Sequence, residues 1–211
     1  MTEKRENLRR GMLILFITGI ISLVVTVMGL FATSPLTQWG GVVLTVAELA
    51  AIVLLMTARP SGKFKAALVL RVLMVVSNAA VTVWTAKTGT ITAGMLALSI
   101  AVAVAGAASL CLLYLGAAEV MEEEGRPDVA ASGKTAFKLT VAMYVLAIVS
   151  LVGGVATAAV SGAAVSYGFY VGGVLAGSIL LLLLGFATAV VAIAAIVSRL
   201  TFFWKCYQGL A

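Results

Sequence analysis

Two ionisable side chains lie where the surrounding sequence is almost wholly apolar. Glu48 sits near the middle of the run Trp39–Thr57, and Arg71 lies about one and a half turns into the next run, Ala66–Ala86. A charge inside hydrocarbon is expensive, and by default it marks a site with a purpose. A lone intramembrane carboxylate can bind a cation or a proton. A guanidinium beside it can set that affinity or hold an anionic substrate. At ~1.5 Å of rise per residue, Glu48 lies ~14 Å from one end of its helix and Arg71 begins ~8 Å deep from the same side. The long guanidinium can therefore reach the carboxylate, or it can snorkel back towards Lys65 and the headgroups. Asn78 and Thr82 follow Arg71 by seven and eleven residues, which places all three on one helical face, with Ser77 and Thr85 beside them. The expectation is an intramembrane polar cluster of Glu48, Arg71, Asn78 and Thr82. It acts either as a structural clasp between two helices or as part of a substrate or ion path.

Little else in the chain can do chemistry. It contains no histidine, so the commonest general base and transition-metal ligand is missing. Cys111 and Cys206 are the only thiols and fall in different segments, without the spacing of a redox or metal motif. The run Glu122-Glu123-Glu124 reads as a solvated helix end, because three consecutive carboxylates on a helix point in different directions. Neither a metal site nor a cofactor site is expected. A membrane-embedded enzyme needs a nucleophile with an oriented base, or a metal constellation. One central Glu does not supply either, so the chain is not expected to be an enzyme.

The elements that hold these residues follow from composition. Of 211 residues, 63% are hydrophobic and 10% are charged, and the mean hydropathy is +1.18. Soluble domains average about 45–50% apolar and about 25% charged, so a water-facing surface cannot be assembled from this inventory. The same arithmetic excludes a disordered chain, a coiled coil and a disulfide scaffold. Six apolar runs are near the roughly 20 residues that cross a bilayer as a helix: residues 12–33, 39–57, 66–86, 91–115, 137–159 and 171–197. Continuous runs of this length lack the alternation of barrel strands. The fold class is thus all-α, a polytopic integral membrane protein with six transmembrane helices in three antiparallel hairpins. Residues 1–211 form a single membrane domain. Gly116–Ala136 is the one long connection.

The basic residues orient the spans. Twelve of the 14 Lys and Arg fall at the N-terminus, the second and fourth connections, the mouth of the fifth span (Lys138) and the C-terminus, all on one side; Lys87 alone lies opposite and Arg71 lies within a span. The positive-inside bias places both termini in the cytoplasm, most simply of a plasma or inner cell membrane. It also explains the formal charge of +6 without nucleic acid as a partner. The first run exceeds the roughly 7–15 residue core of a signal peptide and reads as an uncleaved anchor.

Small residues recur at helical spacing: Ser99, Ala103 and Ala107; Gly154, Ala158 and Gly162; Gly173 and Gly177. Such seams let helix backbones approach in lipid, here within the bundle or across a homodimer. Ser61-Gly62-Lys63 and Ser132-Gly133-Lys134 resemble each other and raise the idea of a duplicated two-span unit. Phe202, Phe203, Trp204 and Tyr207 around Lys205 suit a cytoplasmic interface segment, or a continuation of the sixth helix through it. Short connections, packing seams and this aromatic tail favour a structural or accessory subunit of a membrane assembly, with lipid and other subunits or a second copy as partners. The alternative is a small transporter or channel working through Glu48 and Arg71. The absence of proline within the spans weighs against the broken-helix sites of many transporters.

Overall fold

The computed structural model describes the backbone over residues 2–31, 35–88, 93–167 and 171–210, and side-chain surroundings mainly over 3–25, 42–84, 100–150 and 181–210. The described chain is all helical: α1 (Thr2–Phe31), α2 (Pro35–Ala58), α3 (Gly62–Thr88), α4 (Ala93–Glu123), α5 (Pro127–Tyr167) and α6 (Val171–Gly209). Five helices carry stretches long and apolar enough to cross a membrane: Glu3–Val25, Gly62–Trp84, Ile100–Glu123, Pro127–Ser150 and Leu181–Gly209. The described apolar stretch of α2, Val42–Ala58, is shorter. The protein is a multi-pass integral membrane protein.

Proline placement explains why the helices run unbroken. Pro35 and Pro127 occupy first helical positions, where a missing N–H costs nothing, and Pro60 lies in the turn before α3. In that turn Ser61 Oγ accepts a hydrogen bond from the Lys63 backbone N–H at 3.2 Å, capping α3.

The connection expected over Gly116–Ala136 is instead almost entirely helical. α4 continues to Glu123 and α5 begins at Pro127, leaving three residues between them. Gly125 turns the chain with φ of 73°. Its N–H reaches the Glu122 carbonyl at 3.1 Å, while the Arg126 N–H reaches Met121 at 2.8 Å. This paired bonding closes a helix on a left-handed residue, a conformation glycine adopts without penalty. Polar composition made these residues look like a loop; the Gly-x-Pro stop and start lets both helices run on beyond the apolar segment.

The chain divides into two compact units, residues 1–137 with 197–211, and residues 138–196. In the first, α1 packs along α2, and α3 lies antiparallel to α4. Gly116 faces Phe64 while Gly106 faces Met74. The core is fully buried Met12 and Leu15 of α1, Ile52 and Leu55 of α2, Phe64 of α3, Tyr114 and Met121 of α4, Val129 of α5 and Phe202, Phe203 and Cys206 of α6. The rings of Phe202 and Phe203 lie 5.3 Å apart by centroid, and Tyr114 is 5.8 Å from Phe203 and 6.2 Å from Phe202. That spacing is typical of favourable tilted and edge-on aromatic pairs. Phe202 and Phe203 are therefore packed inside the protein, on a continuation of the sixth helix. Because α6 persists to Gly209, their rings turn inward, whereas Trp204 stays exposed.

In the second unit, Ser150 of α5 and Thr188 of α6 approach at 3.3 Å between hydroxyl oxygens, and Leu181 lies close to Gly153. Val145, Val152, Leu182, Leu183, Phe186 and Ile193 are exposed, as suits side chains that face lipid rather than protein.

Candidate functional site

The polar cluster is built on three helices. Glu48 of α2 is buried, with 6% of its surface exposed. Its Oε2 forms an ion pair with Nη2 of Arg71 on α3, and its Oε1 accepts a hydrogen bond from Nη2 of Arg199 on α6 at 3.1 Å. Both arginine side chains are largely covered, at 13% and 16% exposure. Glu48 stands ten residues before the end of α2, Arg71 nine after the start of α3 and Arg199 ten before the end of α6. At ~1.5 Å per residue, the three groups share one level ~14–15 Å from those helix ends. Equal depth on three helices is what lets one carboxylate meet two guanidinium groups.

Glycines bring the neighbouring helices in around this level. A Cβ on Gly106 of α4 would stand 2.9 Å from the sulfur of Met74, and that sulfur lies 3.7 Å from Arg71 Nη1. A Cβ on Gly19 of α1 would stand 2.8 Å from Leu200 and 3.8 Å from Arg199 Nε. Helices α1 and α4 thus come close to the cluster at glycines, where an added Cβ would displace the Met74 or Leu200 side chain. The Arg199 Nε is buried and has no hydrogen-bond partner.

The sequence did not single out Arg199. Ending the sixth span at Val197 placed this arginine among the terminal basic residues. Because α6 runs on to Gly209, Arg199 lies well inside the helix and turns towards α2. A signal existed in the residues after it: Leu200, Phe202, Phe203 and Cys206 continue a helical apolar face.

Two expected members do not join the cluster. Asn78 and Thr82 are both exposed, and Thr82 returns its hydroxyl to the Asn78 carbonyl of its own helix at 2.9 Å. Sharing a face over eleven residues carries the stripe past the level of Glu48. Of the small-residue seams, Ala103 is exposed and Ala107 half-buried, and close approaches occur at Gly11, Gly19, Gly106, Gly116 and Gly133. The surroundings of Ser99, Gly154, Ala158, Gly162, Gly173 and Gly177 lie outside those described. Nor do the two Ser-Gly-Lys segments match in structure. Gly62 opens α3 with nothing near it, whereas Gly133 lies inside α5, where a Cβ would meet the Phe202 ring at 2.6 Å.

A second set of charges lies at the helix ends of the first unit. The three consecutive glutamates each take a different direction. Glu122 pairs with Lys134 of α5 at 2.6 Å, Glu123 with Arg59 in the α2–α3 turn, and Glu124 with Arg5 of α1 at 3.8 Å. Glu119, one turn earlier, pairs with Lys63 of α3. Arg9 donates to the Tyr207 hydroxyl at 3.2 Å and stacks its guanidinium 4.6 Å from that ring's centroid. Single exposed pairs contribute about 0–1 kcal/mol, but these are spread over four helices and a turn, so they fix which helix ends adjoin. Among the described residues no group of three or more metal-ligating side chains converges. Comparison of the chain with protein-family profiles, curated proteins and solved structures finds no match in any of the three.

Proposed function

We propose that this chain is a structural or accessory subunit of a membrane protein assembly, without catalysis of its own. The observation that carries this reading is the saturation of Glu48. Both carboxylate oxygens are engaged, each by an arginine from a different helix. A cation or proton using this carboxylate would have to displace a guanidinium, at the price of burying that charge alone. A group held in this way suits a joint between helices better than a carrier. The interhelical pairs made by Glu119, Glu122, Glu123 and Glu124 serve the same end. In this reading the chain crosses a plasma or inner cell membrane six times, with both termini cytoplasmic, as the one-sided distribution of lysine and arginine supports. Its partners are lipid and other membrane subunits, or a second copy of itself.

The test is purification in a mild detergent, with mass measurement of the intact particle. A stoichiometric second subunit is the expected result. A particle of this chain alone that carries solute flux in vesicles would overturn it.

One observation favours a small transporter or channel instead. Two guanidinium groups against one carboxylate leave one formal positive charge, which suits an anionic substrate. Under that reading Arg199→Gln should abolish anion flux in vesicles while leaving the Glu48–Arg71 pair and the fold in place. Under the structural reading neither protein shows flux.

A further inference from the structure

A cleft of about 390 Å³ opens at the charged helix ends of the first unit, lined by Lys4, Arg5, Leu8, Ala58, Arg59, Val120 and Glu124. Its walls come from the first turns of α1, the end of α2 with the turn after it, and the last turns of α4. Three cationic side chains face one carboxylate across it, and Leu8, Ala58 and Val120 give it an apolar floor. We propose that this cleft binds a phosphate group, and that the phosphate is carried by an anionic lipid.

Three features of the cleft select this chemistry. The first is its charge. Arg59 is paired with Glu123 and Arg5 only loosely with Glu124, at 3.8 Å, while Lys4 makes no ion pair among the described residues. Arg5 and Arg59 are about half exposed, at 52% and 51%. A guanidinium fork can bind two phosphate oxygens at once, and an ammonium adds a point charge. The second feature is position. The cleft lies where apolar helices give way to basic residues, which under the six-span reading is the headgroup level, where each lysine or arginine adds to the attraction for anionic lipid. The third is the floor. A free inorganic phosphate gains nothing from Leu8, Ala58 and Val120, whereas the glycerol and upper acyl carbons of a lipid lose water against them. The volume lies within the range of small-ligand sites. The proposal concerns residues distinct from Glu48, Arg71 and Arg199, and it holds whether the chain is a subunit or a carrier.

The intact protein in neutral phosphatidylcholine nanodiscs gives a reference midpoint of thermal unfolding. Replacing part of that lipid with phosphatidylglycerol should raise the midpoint by about 2–4 °C. Native mass spectrometry should show phosphatidylglycerol retained in preference to phosphatidylcholine. Lys4→Gln removes a cation that holds no structural pair. It should weaken retention on the order of fivefold without lowering the midpoint in neutral lipid. Glu124→Gln removes the one carboxylate and should strengthen retention. Inorganic phosphate and glycerol 3-phosphate, added in neutral lipid, distinguish the source: a rise equal to that with phosphatidylglycerol would assign the cleft to a soluble phosphate compound and overturn the lipid proposal. Equal retention of both lipids, or retention unchanged in both variants, would overturn the site itself.

Discussion

The two compact units of this protein use opposite means of holding helices together. Residues 138–196 contain one charged side chain, Lys138, in 59 residues. Every other charge in the chain belongs to the first unit. There, aromatic and aliphatic side chains from six helices are fully buried and the helix ends are joined by ion pairs, as in a water-soluble core. In the second unit, Leu182 and Phe186 are each 74% exposed, and the contacts among the described residues include the Ser150–Thr188 hydroxyl pair and Leu181 beside Gly153. The difference shows which forces remain available in lipid. Covering an apolar side chain yields little where the solvent is itself apolar, so helices there associate by close fit and a few polar contacts. Near the charged ends water is close, and hydrophobic burial and charge pairing regain their ordinary weight.

The comparison breaks first at Glu48. Glu48→Gln leaves two buried guanidinium groups without a counter-charge and should cost about 3–5 kcal/mol of stability, read from unfolding in a mixed-micelle titration. Arg71→Gln should cost less, because Arg199 still faces the carboxylate. Arg199→Gln should likewise cost less than Glu48→Gln, since it leaves a neutral Glu48–Arg71 pair. Combining Glu48→Gln with both arginine changes should recover much of the loss. A Glu48→Gln protein as stable as wild type would mean that the cluster does not hold the helices.

Two phenylalanines on the same helix sharpen the contrast. Phe202→Ala, in the first unit, should lower stability by about 3–5 kcal/mol in the same titration, as core truncations do. Phe186→Ala, in the second, should stay within about 0.5 kcal/mol of wild type, as substitutions outside the packed core usually do. Equal costs would show that the 74% exposure of Phe186 does not describe the protein in detergent.

Glycine substitutions give smaller effects of opposite sign. A Cβ on Gly133 would collide with the Phe202 ring, so Gly133→Ala should destabilise by about 1–3 kcal/mol, the usual range for overpacking. Gly185, on α6 in the second unit, has open space around it. Gly185→Ala should be neutral or stabilise by up to about 1 kcal/mol, since a mid-helix glycine is the costlier residue. Thermal midpoints of the two variants, measured side by side, check the signs.

Composition and run length made the helices legible, because a membrane helix satisfies its backbone locally and shows itself one segment at a time. They also marked Glu48 and Arg71 as the residues to watch, whereas Glu122, Glu123 and Glu124 read only as a solvated helix end and not as pairs to Lys134, Arg59 and Arg5. Neighbours were not legible. That Arg199 shares the carboxylate, that Phe202 and Phe203 face inward, that Asn78 and Thr82 stand apart, and that Gly19 and Gly106 admit the flanking helices all depend on which helices adjoin and at what height. A sequence period fixes the face of one helix. Only tertiary packing decides what that face meets, because the matching of depth and side-chain volume between helices is a relation among segments far apart in the chain.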